Sequence, residues 1–389
     1  MRGHRVGDTP CGRRHGCAIL APVRKVELSY SFAATGVRGQ HIRNALIDLL
    51  AALREHGSIS ATAKALGLSY RHVWGELKRW ERELGQALVV WDKGQPARLS
   101  VFGDKLLWAE RQAQARLAPQ IEALHADLDR AFAVAFDEGA HVLTLSASHD
   151  DALIALRDLA AQSGLHLDIR FSGSVDAIAA LNQGRCVMAG FHVPPQRAPG
   201  SLAQRTYRPL LRTGQHKLIG FARRRQGLIV APGNPLGLAS VQDLAIRRAR
   251  FVNRAIGTGT RVLFDELLAD VGLVPADITG YGISEPSHAA VAQAVASGAA
   301  DAGLGIAPAA QTRGLDFIPL LWEDYYLVCL KDALQEPAVQ ALLALLHGEA
   351  WKGLLSTLPG YEPAQGGEVL SLRAQLPWWQ FRTAKKKTL

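Results

Sequence analysis

The sequence predicts an α/β chain in three parts: an N-terminal winged helix-turn-helix, a long linker helix, and a two-lobed α/β domain. Three observations carry this expectation. Apolar residues recur with helical period from His41 to Trp80, and an Ala/Leu/Gln-rich stretch keeps that period from Val101 to Phe136. After Gly139, short apolar runs alternate with helical segments. The chain has 389 residues, 48% of them hydrophobic and 20% charged. That supplies apolar material for two or three cores and excludes a disordered or purely coiled-coil protein.

In chain order, residues 1–23 are rich in Gly, Arg and His without periodicity and read as a flexible basic leader. Ile42, Leu46, Leu49, Leu50 and Leu53 make the apolar face of a first helix that Gly57 stops. Ser58 has N-cap chemistry for a short helix, Ile59 to Leu66, ended by Gly67, and Ser69 opens a third running to about Leu84. An apolar run from Ala87 to Trp91, a Gly/Pro turn, and Ala97 to Ser100 form a β-hairpin, the wing. The stretch 101–138 is the linker, with an apolar stripe at Leu106, Leu107, Leu117, Ile121 and Leu124 that implies pairing with a second copy.

The remainder, 139–365, alternates strands and helices. Strands are expected at Leu143 to Ser146, Leu165 to Phe171, Val187 to Phe191, Gly227 to Val230, Arg250 to Asn253, Ile278 to Tyr281 and Ala302 to Leu304. The rhythm implies a parallel sheet in each lobe, with crossings near His216 to Ala222 and Glu323 to Leu330. Lobe I is then about 139–218 with 326–365 and lobe II about 219–325, before a basic tail at 366–389.

Charge placement points to nucleic acid. Net charge is +9, from 44 Lys+Arg against 35 Asp+Glu. On the third helix Val73, Leu77 and Trp80 are spaced to face the core. Ser69, Tyr70, Arg71, His72, Lys78 and Arg79 are left outside, with short polar and Arg side chains near the N-terminus for base edges and cations further along for phosphates. Lys93 and Arg98 in the wing, and Ser58, complete the expected DNA-contacting set.

Residues from about Ile42 to Leu107 resemble the winged helix of the LysR superfamily, and more closely its molybdate-responsive ModE branch. Ser58 to Leu68, the Ser69-Tyr70 helix start and LSVFGDKLL (Leu99 to Leu107) carry that similarity. The resemblance implies a homodimer or homotetramer through the linker helix and double-stranded operator DNA as partner. RFVNRAIGTGTRVLFDELL (Arg250 to Leu268) and EPSHAAVAQAVASGAADAGLG (Glu285 to Gly305) resemble the type 2 periplasmic-binding-protein-like domain found fused to ModE-type heads and to molybdopterin-biosynthesis proteins.

An anion site is expected between the lobes. Thr258, Gly259, Thr260 and Arg261 sit where a strand meets a helix N-terminus, so backbone N–H groups, hydroxyls and a guanidinium converge. Arg261 can instead pair with Asp265 one turn on. Strand carboxyl ends add Ser146, Ser148, His149, Ser172, Ser174, His192 and Asn253, and Glu285, Ser287 and His288 follow a strand of lobe II. Family resemblance implies molybdate, tungstate or a related molybdoenzyme metabolite as effector. The alternative is a small carboxylate such as formate, controlling a molybdenum-dependent dehydrogenase operon. A lower alternative is a ligand-binding protein without DNA activity.

Other classes fit poorly. Ser148-His149-Asp150 are adjacent and cannot form a catalytic relay, and no nucleophile elbow, zincin motif or phosphate-binding glycine spacing occurs. No catalytic residue, metal or cofactor is expected. Cys11 and Cys17 have no usual ligand spacing, while Cys186 and Cys329 read as small core residues. No apolar run approaches the roughly 18 residues of a membrane span, and no secretory signal is evident. No membrane partner and a cytoplasmic location are therefore expected.

Overall fold

A computed structural model describes residues 44–91, 96–136, 141–194, 199–376 and 378–379. The leader with Cys11 and Cys17, the wing tip with Lys93, and the lysines at 385–387 lie outside the described residues.

The head comprises α1 (Ala45–His56), α2 (Ile59–Leu66), α3 (Tyr70–Leu84) and the antiparallel pair β1 (Val89–Val90) and β2 (Arg98–Leu99). Its boundaries follow from local chemistry. Ser58 Oγ accepts from Ala61 N at 3.1 Å and Ser69 Oγ from His72 N at 3.1 Å, capping α2 and α3. Between them Gly67 takes φ 67°, a left-handed turn that returns its N–H to the last carbonyls of α2. Leu50, Leu53, Val73, Leu77 and Leu88 form the buried core, joined by Leu107 from the next helix. That helix, α4 (Val101–Phe136), runs unbroken through Pro119.

Beyond it lie β3 (His141–Ala147), α5 (Asp151–Ala161), β4 (Leu165–Phe171), α6 (Ser174–Asn182), β5 (Met188–Val193), α7 (Leu202–Tyr207) and β6 (His216–Val230). Next come α8 (Val241–Ile246), β7 (Phe251–Arg254), α9 (Gly259–Asp270), β8 (Ser284–Glu285), α10 (His288–Ala296), β9 (Ala302–Ile306), α11 (Ala307–Gln311) and β10 (Asp316–Leu330). The chain then forms α12 (Pro337–His347), α13 (Glu349–Ser356), β11 (Tyr361–Glu362), β12 (Val369–Leu370) and α14 (Leu372–Gln375).

The strands join in the order β4-β3-β5-β10-β6-β9-β7-β8. Each lobe has a parallel portion, β4-β3-β5 in one and β9-β7-β8 in the other. The expected short crossings are instead two long antiparallel strands, β6 and β10, paired from Asp316↔Val230 to Leu330↔His216. At opposite ends of this ladder the C-terminal half of β10 pairs with β5 and that of β6 with β9, so one continuous backbone ladder serves both lobes.

Two expectations need correcting. Ile278 to Tyr281 is not a strand. Gly280, at φ 86°, approaches so close to Phe251 that a Cβ would lie 2.3 Å from the Phe251 carbonyl oxygen, and the segment turns there. Strand pairing begins only at Ser284–Glu285. The stretch after 365 is not simply a tail: β12 pairs with β6, and Leu376 and Trp378 are buried against Tyr207 in the lobe I core. Cys186 and Cys329 are buried free thiols. Among the described residues, no helix is long and apolar enough to cross a membrane.

Candidate functional site

On the head, the exposed start of α3 presents Tyr70, Arg71 and His72, with Tyr70 55% exposed. Lys78 and Arg79, further along, are held within the helix. Lys78 Nζ donates to Glu81 Oε2 at 2.6 Å and lies over Trp91, while Arg79 Nη2 donates to Glu76 Oε2 at 2.5 Å. Glu81 also accepts from Leu88 N at 2.9 Å and so ties α3 to the wing. Ser58 and Ser69 act as caps, which gives each hydroxyl a structural task. Arg98 is exposed on β2.

Between the lobes, the starts of α6 and α9 meet. A Cβ on Gly173 would lie 2.6 Å from the Gly257 carbonyl oxygen, and Val175 N donates to that oxygen at 3.3 Å. A Cβ on Gly259 would lie 3.1 Å from Ser174 Oγ and 3.3 Å from His192 Nδ1. Only glycine allows the two loops this approach. Thr258 caps α9, and its hydroxyl is turned to Ala255 O at 2.8 Å. Thr260 Oγ1 accepts from Gln226 Nε2 at 3.2 Å.

Around this contact lies a group of buried polar atoms without a hydrogen-bonding partner among the described residues. They are Ser148 Oγ, Ser174 Oγ, both His192 ring nitrogens, Gln226 Oε1, Tyr325 Oη, His288 Nδ1, and Nε and Nη1 of Arg254. Such atoms are rare in native interiors, and ordered water or a bound molecule can complete their bonding. His192 lies against Tyr325, ring centroids 3.9 Å apart, and His149 packs on Phe171 at 4.8 Å.

Charge in the crevice is unevenly matched. Arg224 is fully buried between Glu323, at 2.5 Å, and Asp150, which also accepts from Tyr361 Oη at 2.9 Å. Burial opposes the Arg224 charge, but Glu323 and Asp150 outweigh it and hold its pKa above the usual range. Arg254 is equally buried and its guanidinium has no carboxylate partner among the described residues; there it donates only from Nη2, to Pro286 O at 3.0 Å. Burial and the neighbouring Arg224 pull its pKa down to about 9, so it stays charged at neutral pH. The same burial, reinforced by both arginines, holds His192 and His288 well below the ordinary histidine value. The crevice therefore offers one unpaired cation beside neutral imidazoles and hydroxyls.

Several residues expected here are occupied elsewhere. Arg261 pairs with Asp265 at 3.3 Å and stacks over Tyr281 at 4.1 Å, because Asp265 lies one helical turn on and Tyr281 folds back beside it. Asn253 donates to Tyr281 O at 3.3 Å and braces the strand end. Ser146 and Ser172 bond each other at 2.8 Å. Glu285 and Ser287 face the linker helix: Glu285 receives Arg116 Nη2 at 2.7 Å and Gln112 Nε2 at 3.2 Å, and Ser287 Oγ donates to Ala115 O at 3.2 Å. The sequence pattern alone points both into the crevice, but β8 ends the sheet, and its Glu285 meets α4.

Ser174, His192 and Gly259 come together, with Thr260 next in the chain and His288 within electrostatic reach of His192. Sequence reading missed Arg254, Gln226, Arg224, Glu323 and Tyr325. A trace was present: in the strand Phe221 to Val230, Arg224 and Gln226 are two apart and so share a face, the buried one, while Arg223 and Arg225 lie on the other. Arg254 follows Asn253 directly at the same strand end.

Residues 45–104 match the bacterial regulatory helix-turn-helix protein, lysR family, and residues 156–347 match the PBP superfamily domain. The chain is 37% identical over 202 residues to the uncharacterized protein YvgK of Bacillus subtilis, a match covering 52% of this chain and 64% of that relative's length. It is 34% identical over 111 residues to an uncharacterized protein encoded in the 5′ region of a 2Fe-2S ferredoxin gene of Clostridium pasteurianum, covering 28% of this chain and 98% of that one. Among solved structures, full-length BenM matches with a TM-score of 0.42 at 16% identity, covering 82% of this chain and 98% of that chain. A Corynebacterium glutamicum OxyR mutant bound to H2O2 matches with a TM-score of 0.39 at 17% identity, covering 80% and 95%.

Proposed function

We propose that the chain, with its lysR-family helix-turn-helix and PBP superfamily domain, is a LysR-type DNA-binding transcriptional regulator whose interlobe crevice senses a small anion that controls operator binding. One observation carries the reading: Arg254, a buried guanidinium whose Nε and Nη1 have no partner and which meets no carboxylate among the described residues, and whose charge reaches the buried rings of His149, His192 and His288. A buried charge is costly unless it is paired, so an anion that pairs it binds with a large electrostatic gain. Lobe closure on that anion draws its energy from the difference in affinity between closed and open forms.

Molybdate and tungstate, which the family resemblance suggests, are dianions, whereas formate and other small carboxylates carry one charge. A single unpaired guanidinium beside imidazoles kept neutral favours the monoanion. The head binds operator DNA through Tyr70, Arg71 and His72 in the major groove. Two copies pair along α4, where Leu117 and Leu124 are 47% and 59% exposed.

The test has two arms. Calorimetric titration of the full chain with molybdate, tungstate and formate reads the anion preference. Gel shifts with its own upstream DNA at several salt concentrations, with and without each anion, read the regulator. Affinity for DNA should fall steeply with salt and change when the anion is added. An absence of both heats and shifts contradicts the reading.

A further inference from the structure

An anion alone leaves two buried acceptors of the crevice without a donor. Gln226 is fully buried and its amide orientation is fixed: Nε2 donates to Glu323 Oε1 at 2.8 Å and to Thr260 Oγ1 at 3.2 Å, and a carboxylate only accepts. Gln226 Oε1 is thereby left as an acceptor, and it has no partner. His192 is also buried, with neither ring nitrogen partnered. Burial beside Arg224 and Arg254 keeps its imidazole neutral, so one nitrogen accepts and the other donates. Both residues belong to the crevice. Gln226 reaches the first turn of α9 through Thr260, and His192 lies beside Gly259 in that same turn. The close approach of Gly173 to the Gly257 carbonyl brings the starts of α6 and α9 together beside them.

Formate, molybdate and tungstate carry no N–H or O–H at neutral pH and leave both acceptors unsatisfied. Resting on the anion reading of the crevice, we infer that the effector is a small monoanion that also bears a hydrogen-bond donor, of the hydroxycarboxylate class, with its charge on Arg254 and its hydroxyl on Gln226 Oε1. The hydroxyls of Ser148, Ser174 and Tyr325, which donate or accept as required, complete its surroundings. A site built to bond a hydroxyl discriminates strongly against the analogue that lacks it, because the site's own polar groups are then stranded.

Matched acids that differ only in a hydroxyl test this directly on the full chain. They are acetate against glycolate, propionate against lactate, and benzoate against 4-hydroxybenzoate, all titrated by calorimetry. The hydroxy acid of at least one pair should bind about tenfold tighter or more. In Gln226→Met that preference should shrink to about twofold while the unsubstituted acid still binds, with thermal unfolding reporting whether the variant folds. The native protein's own pairwise comparison stands whether or not the variant folds. Equal affinities within every pair, or binding of molybdate alone, would overturn the hydroxyl requirement and leave the anion site standing. If no acid and no oxyanion binds, both fall.

Discussion

Arg254 and Glu285 are register partners on the parallel strands β7 and β8, and they join the crevice to the linker helix. Arg254 donates to the carbonyl of Pro286, directly after Glu285, at 3.0 Å, and Ala255 N donates to Glu285 O at 3.2 Å. The Glu285 carboxylate holds Arg116 and Gln112 of α4. An anion that draws the Arg254 guanidinium toward itself pulls on the same peptide that anchors α4, the helix leading to the head.

Glu285→Gln should therefore separate sensing from response. Arg116 is half-exposed but Glu285 is buried, so the stability cost should be about 1–3 kcal/mol. Anion affinity should change by no more than about twofold, while the effect of the anion on DNA affinity shrinks. Calorimetry and gel shifts on the same variant decide it; full retention of the response would remove Glu285 from the connection.

Arg254→Met and Arg224→Met should behave oppositely. Removing Arg254 deletes an unpaired buried charge, so thermal stability should hold or rise while anion affinity falls by about tenfold or more. Removing Arg224 strands Asp150 and Glu323, both buried, and should destabilise the fold by about 3–5 kcal/mol. Urea unfolding measures both. An Arg254 variant that binds anions normally would refute its assigned role, whereas Arg261→Ala should leave anion binding intact.

In the head, caps and contacts should part company. Ser58→Ala and Ser69→Ala should each cost about 0.5–2 kcal/mol of stability with little change in sequence preference. Arg71→Ala should leave stability nearly unchanged but cost about 1–3 kcal/mol of discrimination between operator and mutant sites. Fluorescence anisotropy at fixed salt, paired with denaturation, reads each. A cap variant that loses specificity without losing stability would contradict the division.

Stability should decline on mild acidification. His192 and His288 stay neutral in the folded chain, whereas an unfolded histidine takes up a proton near 6.5. As pH falls below that value the unfolded state gains protons the native state refuses, and stability is lost. Asp151 works the other way: burial and Asp150 raise its pKa from 3.8 to about 6, so it contributes stability that is full below 3.8 and lost as pH rises through 6. Two imidazoles should outweigh one carboxyl, lowering the urea midpoint between about pH 7 and pH 5. A flat or rising midpoint would mean that Asp151 and other groups dominate.

Local patterning alone determined the order of the parts. The caps Ser58 and Ser69, the glycine turn at Gly67, the helical period of α4 and the strands His141–Ala147 and Leu165–Phe171 depend on neighbours within a few residues, which a single sequence displays. The general position of the crevice was equally legible, since strand carboxyl ends and a helix N-terminus are local features. Which arginine there is left without a carboxylate was not. Arg261 was quenched by Asp265 and Tyr281, while Arg254 was freed because Arg224 had already taken Asp150 and Glu323. Those carboxylates lie 74 and 99 residues away in the chain. Charge pairing is decided by distance in space, and only the long ladder of β6 and β10 brings these groups within reach of one another.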